Sequence, residues 1–155
     1  MFRDITTLLQ HPKAFKKTCD ALYKRYKGKK IDVVVGIESR GFVFGAVLAY
    51  KLGVGFVPVR KPGKLPYKTI KEEYELEYGR NTVEIHEDAI KKGQKVLIVD
   101  DLIATGGTVK AAIKLVEKLG GKVFECCFVV ELPGLKGREK LEGYPVFNLI
   151  EFEGE

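Results

Sequence analysis

A chain of 155 residues with 45% hydrophobic content is long enough for one compact core and short for two, so residues 1–155 are predicted to form a single domain. The formal net charge of +6 is carried by lysines that are mixed with acids along the chain, a distribution that does not indicate nucleic-acid binding. No apolar run approaches the roughly 20 residues that cross a bilayer, so we expect a soluble, cytoplasmic protein with no membrane association.

The first third of the chain predicts a helix followed by a strand–turn–helix unit. Apolar residues recur at helical spacing from Pro12 to Tyr26, which indicates an amphipathic helix. Ile31 to Val35 is a short β-branched run typical of a strand, and Gly41 to Leu52 predicts a helix whose small residues allow close packing. Gly55 to Arg60 predicts a second strand.

The middle of the chain predicts a loop and a hairpin. Lys61 to Lys71 is basic, contains Pro and Gly and has no apolar period, which indicates a mobile loop. Tyr74 to Tyr78 and Thr82 to His86 alternate polar and apolar residues, as strands with one solvent-exposed face do. Joined near Gly79, these two strands would form a flexible hairpin that projects from the main sheet.

The last third predicts the centre of a parallel sheet. Val96 to Val99 is continuously apolar, the pattern of a strand buried on both faces, and Thr108 to Leu119 predicts a helix that ends at Gly120. Val123 to Val130 and Val146 to Ile150 predict two more strands. Strands that alternate with helices define an α/β fold with a mostly parallel central sheet flanked by helices.

The cysteines and histidines indicate neither a disulfide framework nor a metal site. Cys126 and Cys127 are neighbours that would point to opposite faces of a strand, so we expect buried, reduced thiols. His11 and His86 lack metal-ligand spacing, and we expect ordinary surface or hydrogen-bonded side chains.

The segment after Val99 has the composition of an anion site. The acids Asp100 and Asp101 would repel a phosphate unless they faced another group, and vicinal sugar hydroxyls are the natural partner. The glycines and the helix N-terminus that follow suit a phosphate monoester, because backbone amides can curl around it. Neither the P-loop nor the dinucleotide fingerprint is present. The phosphate-binding residues so predicted form the 104–108 loop: Ala104, Thr105, Gly106, Gly107 and Thr108.

This run of apolar residues, two acids and a Thr-Gly-Gly-Thr loop resembles the signature of type I phosphoribosyltransferases, which bind 5-phosphoribosyl-1-pyrophosphate (PRPP). The resemblance implies the type I phosphoribosyltransferase fold, a homodimer, and Mg²⁺ bound mainly through PRPP, with no metal ligand from the protein. It also implies that Asp100 and Asp101 hold the ribose hydroxyls while the 104–108 loop holds the 5'-phosphate.

Other segments, which extend over nearly the whole chain, are similar to adenine phosphoribosyltransferases. The implied function is transfer of the 5-phosphoribosyl group from PRPP to adenine, giving AMP and pyrophosphate. Two alternatives stay open: a phosphoribosyltransferase for another purine such as xanthine, or a non-catalytic PRPP- or nucleotide-binding sensor. The segments are Phe2–Thr6, Gly36–Phe42, Arg60–Pro66, Leu76–Gly79, Val130–Leu132 and Leu135–Leu141.

The pyrophosphate is expected at a turn that opens a helix and at a cationic cluster after the second strand. Amides, a hydroxyl and a guanidinium in the turn suit this anion, and the resemblance places a cis peptide between Glu38 and Ser39. The resemblance also places the cationic cluster at the pyrophosphate, partly from the neighbouring subunit. Arg40 and Arg60 are the predicted catalytic cations for the leaving group. The pyrophosphate residues are Glu38, Ser39, Arg40, Arg60, Lys61 and Lys64.

The resemblance also implies an adenine pocket. Phe2 would stack on one face of adenine and Leu102 on the other, and the main chain of Arg3 would read the edge of the base. Glu77 would be the catalytic residue that assists proton movement on the purine ring. The family has a further Pro-Gly-containing stretch before the matching Phe, whereas this chain begins at Met1. Either the start of the chain is truncated or the pocket is built differently.

Overall fold

A computed structural model describes residues 5–76 and 78–152, so the predicted roles of Phe2, Arg3 and Glu77 lie outside the described residues. None of the helices in these ranges has the length and apolar content to cross a bilayer. In chain order the helices are α1 (Thr6–Gln10), α2 (Pro12–Tyr26), α3 (Gly41–Leu52), α4 (Gly107–Lys118) and, after a 3-10 turn at Pro133–Leu135, α5 (Gly137–Lys140). The strands are β1 (Val33–Ile37), β2 (Gly55–Val59), β3 (Thr69–Leu76), β4 (Gly79–His86), β5 (Lys95–Ile103), β6 (Lys122–Glu131) and β7 (Val146–Glu151).

The central sheet is parallel and five-stranded, in the order β2-β1-β5-β6-β7. β5 lies in the middle, with Val96 beside Val33 of β1 and Val99 beside Cys127 of β6. Helices cover both faces of the sheet, as buried parallel strands require. The predicted α/β fold with a parallel central sheet is confirmed.

Successive residues of β5 contribute to two cores on opposite faces of the sheet. Leu97 packs with Leu22 of α2 and Phe44 of α3, whereas Ile98 packs with α4 and with Ile85 of β4. All of these side chains are fully buried. The alternation explains why β5 is apolar at every position from 96 to 99.

The adjacent cysteines follow the same alternation. Cys126 lies in the core beneath α4 and Cys127 in the core beneath α2 and α3. Both thiols are free, and burial raises the pKa of each to about 12. Cys19 is also free and buried, so the prediction of free, buried thiols is confirmed.

The two histidines differ. Nδ1 of His11 accepts the Ala14 amide at 3.1 Å at the start of α2, which confirms the predicted hydrogen-bonded side chain. In His86 the buried Nε2 has no hydrogen-bond partner among the described residues, so the prediction is wrong for that residue. The ring of His86 packs edge-on against Tyr67, with 6.3 Å between ring centroids.

β3 and β4 form a separate antiparallel pair that closes where Leu76 lies opposite Gly79, which confirms the predicted hairpin. β3 begins at Thr69, so the preceding loop is shorter than predicted. At the base of the hairpin Arg60 and Glu84 exchange two backbone hydrogen bonds, at 3.0 and 2.7 Å. The hairpin is therefore tied to the end of β2.

Several element boundaries differ from the prediction. β5 continues beyond Val99 through the acidic pair to Ile103, because its ladder with β6 continues as far as Glu131. Acidic residues at the end of a strand have the composition of a loop, which is why the prediction stops early. The short helices α1 and α5 contain five and four residues, too few to show a helical period.

Glu125 of β6 joins α2 to the sheet. Its carboxylate accepts two hydrogen bonds from the Arg25 guanidinium, at 2.9 and 2.8 Å, and one from the Tyr26 hydroxyl at 2.6 Å. Burial pushes the pKa of Glu125 upward, but the bonds from Arg25 and Tyr26 outweigh it and hold the pKa below its ordinary value. The charged form of Glu125 therefore stabilises the folded state.

We expect Glu125→Gln to lower the free energy of unfolding at neutral pH by about 1–2 kcal/mol, a loss typical of charge-assisted hydrogen bonds with a partly exposed partner. Because the folded-state pKa lies below the unfolded value of about 4.3, this stabilisation is present above that pH and is lost as the pH falls through the folded-state pKa. Urea unfolding at neutral and acid pH should therefore show a difference from wild type that shrinks in acid. Glu117→Gln, at a carboxylate that accepts one bond from Tyr144, is the control. A difference that stays constant with pH would contradict the prediction.

Candidate active site

The carboxyl ends of β1, β2 and β5 surround a pocket of about 290 Å³ at one edge of the sheet. Residues that follow β1 and β2 and residues at the end of β5 thus line one pocket, as the geometry of a parallel sheet requires. A larger cavity of about 550 Å³, beside Arg25 and Glu125, has no lining residue in common with it. The pocket is lined by Ile37, Glu38, Ser39, Arg40, Lys61, Asp100, Asp101, Leu102 and Thr108.

A smaller pocket of about 110 Å³ adjoins the first, and the two share Asp100, Leu102 and Thr108. The 104–108 loop supplies five of the ten residues that line this second pocket. The acidic pair is therefore flanked by the 104–108 loop on one side and by the turn at residues 38–40 on the other. Three segments that are far apart in the chain thus form one continuous surface.

The turn after β1 lies directly against the end of β5. The peptide bond between Glu38 and Ser39 is cis, as the resemblance implies. At Gly41, where α3 begins, a Cβ atom would lie 2.9 Å from the Asp100 carboxylate and 2.9 Å from the carbonyl oxygen of Val99. A glycine is needed for this approach, which brings the turn and the acidic pair into one wall.

Arg40 and Asp101 form an ion pair, although the sequence predicts them at opposite ends of the ligand. Nε of Arg40 donates to Oδ2 of Asp101 at 2.6 Å. Asp101 is buried, and a buried carboxylate requires such a partner because an isolated charge is costly to desolvate. The pair fixes the turn and the acidic pair relative to one another.

Asp100 has a different environment from its neighbour. Burial and then repulsion by Asp101 hold the pKa of Asp100 well above its ordinary value, although the Asp101 amide donates to Oδ1 of Asp100 at 2.8 Å. Asp101 is paired with a cation, whereas the charge of Asp100 is disfavoured by its burial and by its neighbour. Both groups carry oxygens that can form hydrogen bonds with the hydroxyls of a ligand.

Glu38 arranges the cations that follow β2. Its Oε1 accepts bonds from Nε of Arg60 and from the Lys61 amide, both at 3.0 Å. Burial pushes the pKa of Glu38 upward, but these bonds and the nearby positive charges outweigh it, so the pKa lies below its ordinary value. The carboxylate predicted at the pyrophosphate is thus engaged with Arg60 and Lys61.

Only one of the three cations in the cationic cluster predicted at the pyrophosphate lines the pocket. Lys61 lines the pocket, whereas Arg60 and Lys64 lie outside its lining. The Arg60 guanidinium lies over the ring of Phe42, 5.8 Å from its centroid, and Lys64 is exposed. Of these three cations, Lys61 is the one that lines the pocket.

The 104–108 loop is shaped by α5. Gly106, with φ +87°, precedes α4, and a Cβ atom there would lie 2.6 Å from the carbonyl oxygen of Gly137. A Cβ atom at Gly137 would in turn collide with the Ala104 carbonyl oxygen and the Ile103 side chain. Gly137 is a structural contributor that the sequence reasoning misses. The resemblance over residues 135–141 is the signal that points to it.

Tyr74 of β3 is a second contributor that the sequence reasoning misses. The Thr108 hydroxyl donates to the Tyr74 hydroxyl at 3.1 Å. The alternating pattern predicts the strand that contains Tyr74, but a strand pattern cannot reveal a contact between residues 34 positions apart.

Within residues 5–76 and 78–152, no three metal-ligating side chains form a cluster. The pocket does present the carboxylates of Asp100 and Asp101. Oxygen donors of this kind are the ligands that Mg²⁺ accepts, usually together with water and phosphate oxygens.

A parallel α/β sheet whose acidic pair lies between a glycine-rich helix N-terminus and a turn with a cis peptide defines the class of type I phosphoribosyltransferases. The family model described as a phosphoribosyl transferase domain matches residues 4–153. The chain is 67% identical over 155 residues to the adenine phosphoribosyltransferase of Desulfosudis oleivorans, and the match covers 100% of this chain and 90% of the relative.

Solved structures give the same result. The adenine phosphoribosyltransferase of Thermoanaerobacter pseudethanolicus superimposes with a TM-score of 0.94 at 57% identity, over 97% of this chain and 88% of that one. The enzyme of Saccharomyces cerevisiae, in complex with D-2,5-dideoxy-2,5-imino-altritol 1,6-bisphosphate and adenine, has a TM-score of 0.89 at 51% identity, over 96% and 86%. The chain belongs to the adenine phosphoribosyltransferase family.

Gly137→Ala should weaken binding of ribose 5-phosphate roughly tenfold and cost about 1–3 kcal/mol of stability, because the added Cβ must displace the Ala104 carbonyl and with it the 104–108 loop. Titration calorimetry and thermal unfolding measure the two effects. Gly55→Ala is the matched control, since a Cβ there meets nothing within 4 Å. Wild-type affinity in the Gly137 variant would show that α5 does not shape the loop.

Proposed function

We propose that the chain transfers the 5-phosphoribosyl group from PRPP to adenine and releases AMP and pyrophosphate, the activity for which its relatives are named. The observation that carries this proposal is the order of groups along the two adjoining pockets. The 104–108 loop is followed by the acidic pair, and then by the 38–40 turn with Lys61. PRPP has the same order, with its 5'-phosphate, its ribose hydroxyls and the pyrophosphate on C1'.

The ribose phosphate half of PRPP is assigned to β5 and α4. The amides of the 104–108 loop at the N-terminus of α4 would bind the 5'-phosphate, because the helix end carries partial positive charge. Asp100 and Asp101 would form hydrogen bonds with the ribose hydroxyls. Their position between the 104–108 loop and the 38–40 turn supports this assignment.

Catalysis would break the bond between C1' and a pyrophosphate oxygen while N9 of adenine forms the new bond to C1'. Positive charge develops on the ribosyl group and negative charge on the departing pyrophosphate. Ser39, Arg40 and Lys61 line the side of the pocket assigned to that leaving group. Fixed cations there stabilise the transition state more than the ground state, because the charge on the leaving group grows as the bond breaks.

The base is assigned to the mouth beside Leu102, which is half-buried and lines both pockets. A flat apolar contact of this kind suits one face of adenine. Phe2 for the other face, Arg3 for the edge of the base and Glu77 for the proton that leaves N9 lie outside the described residues and stay predictions. A general base is required at that position because the new C–N bond displaces the N9 proton.

Mg²⁺ is proposed to enter with PRPP, held mainly by substrate oxygens and water. The carboxylates of Asp100 and Asp101 are the groups of this chain that would approach it. When bound, the ion neutralises charge on the phosphate oxygens of the leaving group.

The proposal includes a cytoplasmic homodimer. α3 is apolar on its outer face as well as its inner one, with Val43 36% and Tyr50 86% exposed. Burial of such a face against a second copy is favourable. Because α3 begins at the pocket wall, this contact would bring the two sites of the dimer near its interface. The free thiols agree with a reducing compartment.

Sedimentation velocity is expected to give a species of about twice the chain mass of 17.4 kDa. Tyr50→Asp should shift the protein towards monomer, because a charge on the apolar face of α3 would be buried in the interface. Ile150→Asp, at another exposed apolar residue, is the control. A wild-type protein that sediments only as monomer would contradict the dimer and leave Arg60 and Lys64 without an assigned site.

An assay of the purified protein with PRPP, Mg²⁺ and separately adenine, hypoxanthine, guanine, xanthine or orotate tests the reaction. We expect AMP and pyrophosphate with adenine and no product with the other bases. Turnover of xanthine without adenine would overturn the base assignment. PRPP binding by calorimetry without turnover of any base would instead indicate a sensor.

The variant to be tested in the same assay is Asp101→Asn. It removes the negative charge that pairs with Arg40 and one of the two carboxylate oxygens assigned to the ribose hydroxyls. Its KM for PRPP should rise about tenfold or more, the effect of losing charge-assisted hydrogen bonds. Asp20→Asn, at an exposed aspartate paired with Lys16 and Lys51, should behave as wild type. Equal effects of the two substitutions would argue against the assigned role of Asp101.

A further inference from the structure

Among the described residues of the hairpin, Tyr74 is joined to the site by a hydrogen bond to Thr108. In the half of the hairpin nearest its turn, Glu75, Leu76 and residues 78–81 are all exposed. Tyr74 is half-buried and packs against the core beneath α4. It is therefore the last half-buried residue of β3 before the exposed residues 75, 76 and 78–81, which we call the hairpin tip.

Two contacts join Tyr74 to the 104–108 loop. Its hydroxyl accepts the hydrogen bond from the Thr108 hydroxyl at 3.1 Å. Its ring lies beside Gly107, where a Cβ atom would be 3.2 Å from the aromatic Cδ2. Thr108 itself lines both pockets, so the Tyr74 hydroxyl is one hydrogen bond away from the space assigned to the 5'-phosphate.

Three ion pairs of the described part of the hairpin do not involve this loop. Arg80 pairs with Glu73 at 3.5 Å and with Glu75 at 3.9 Å, which keeps these charges within the hairpin. Glu72 pairs with Lys118 at 2.7 Å, near the far end of α4. The hydrogen bond between Thr108 and Tyr74, by contrast, joins the strand next to the tip to the phosphate side of the pocket.

We infer that Tyr74 is a positioning residue that couples occupancy of the 104–108 loop to the placement of the hairpin tip. A hydroxyl carries one proton but can accept two hydrogen bonds. When Thr108 donates its proton to a phosphate oxygen it can no longer donate to Tyr74, so Tyr74 becomes the donor to Thr108. The resulting chain from phenol to threonine to phosphate is polarised in one direction, which strengthens each bond in it.

The inference rests on the proposed function, and Tyr74→Phe tests it because that change removes the hydroxyl and keeps the ring beside Gly107. Tyr144→Phe is the matched control, since it removes a hydroxyl that donates to Glu117 of α4 at 2.8 Å, away from the loop. Affinities for ribose 5-phosphate and for pyrophosphate are measured separately by calorimetry. In Tyr74→Phe we expect the first to weaken by about 3–10-fold, the effect of one neutral hydrogen bond, and the second to stay unchanged.

Hydrogen–deuterium exchange of the hairpin provides a readout that a purely structural role of Tyr74 would not move. Ribose 5-phosphate should slow exchange at the hairpin tip in wild type and in Tyr144→Phe, and should fail to do so in Tyr74→Phe. In a Thr108→Val background, Tyr74→Phe should cause no additional loss of affinity, because the bond is already absent.

Each other outcome overturns the inference. Equal weakening of both ligands in Tyr74→Phe would show general damage, and unchanged ribose 5-phosphate affinity would show that the hydroxyl does not support the loop. Slowed exchange at the tip in Tyr74→Phe would break the proposed coupling. A wild-type protein that turns over adenine while Tyr74→Phe binds ribose 5-phosphate normally refutes this inference alone. A wild-type protein that converts neither PRPP nor adenine refutes the proposed function as well.

Discussion

The contact between Gly41 and the end of β5 is the constraint on which the geometry of the site depends. Because the position has no side chain, the turn after β1 can lie against Asp100 and the Val99 carbonyl. That approach lets Arg40 reach Asp101 and places Ser39 in the same wall as the acids. A larger residue at this position would push the turn after β1 away from the end of β5.

The site is held together by opposite charges before any ligand arrives. Arg40 is paired with Asp101, and Glu38 holds both Arg60 and the Lys61 amide. Ion pairs of this type fix side chains in place, so less conformational entropy remains to be lost when an anion binds. Under the proposed function, an incoming pyrophosphate would have to compete with these carboxylates for the same cations. The electrostatic free energy gained on binding would therefore be the difference between the contacts of the cations with the anion and their contacts with the carboxylates.

Much of the fold could be predicted because local patterns determine it. The apolar run at residues 96–99 predicts the central strand, and the boundaries of α2 and α3 agree with the periodicity. The meeting of three loops at one edge follows from a parallel sheet. Contacts between distant residues could not be predicted in the same way. The contact of Tyr74 with Thr108 and that of Gly137 with Gly106 produce no repeating pattern in the sequence. The pairing of Arg40 with Asp101 depends on a distance that spacing in the chain does not encode.

The packing of Gly106 against Gly137 means that the glycine-rich loop is not a self-contained unit. Its curvature is set by a backbone segment about thirty residues further along the chain, beyond β6. Transplanting residues 104–108 onto another strand–helix junction would transfer the sequence of the motif without the contact with Gly137 that determines its backbone conformation. We therefore expect the motif to keep its conformation only together with the segment around Gly137. A match to the motif alone identifies the chemistry less securely than a match that includes both segments.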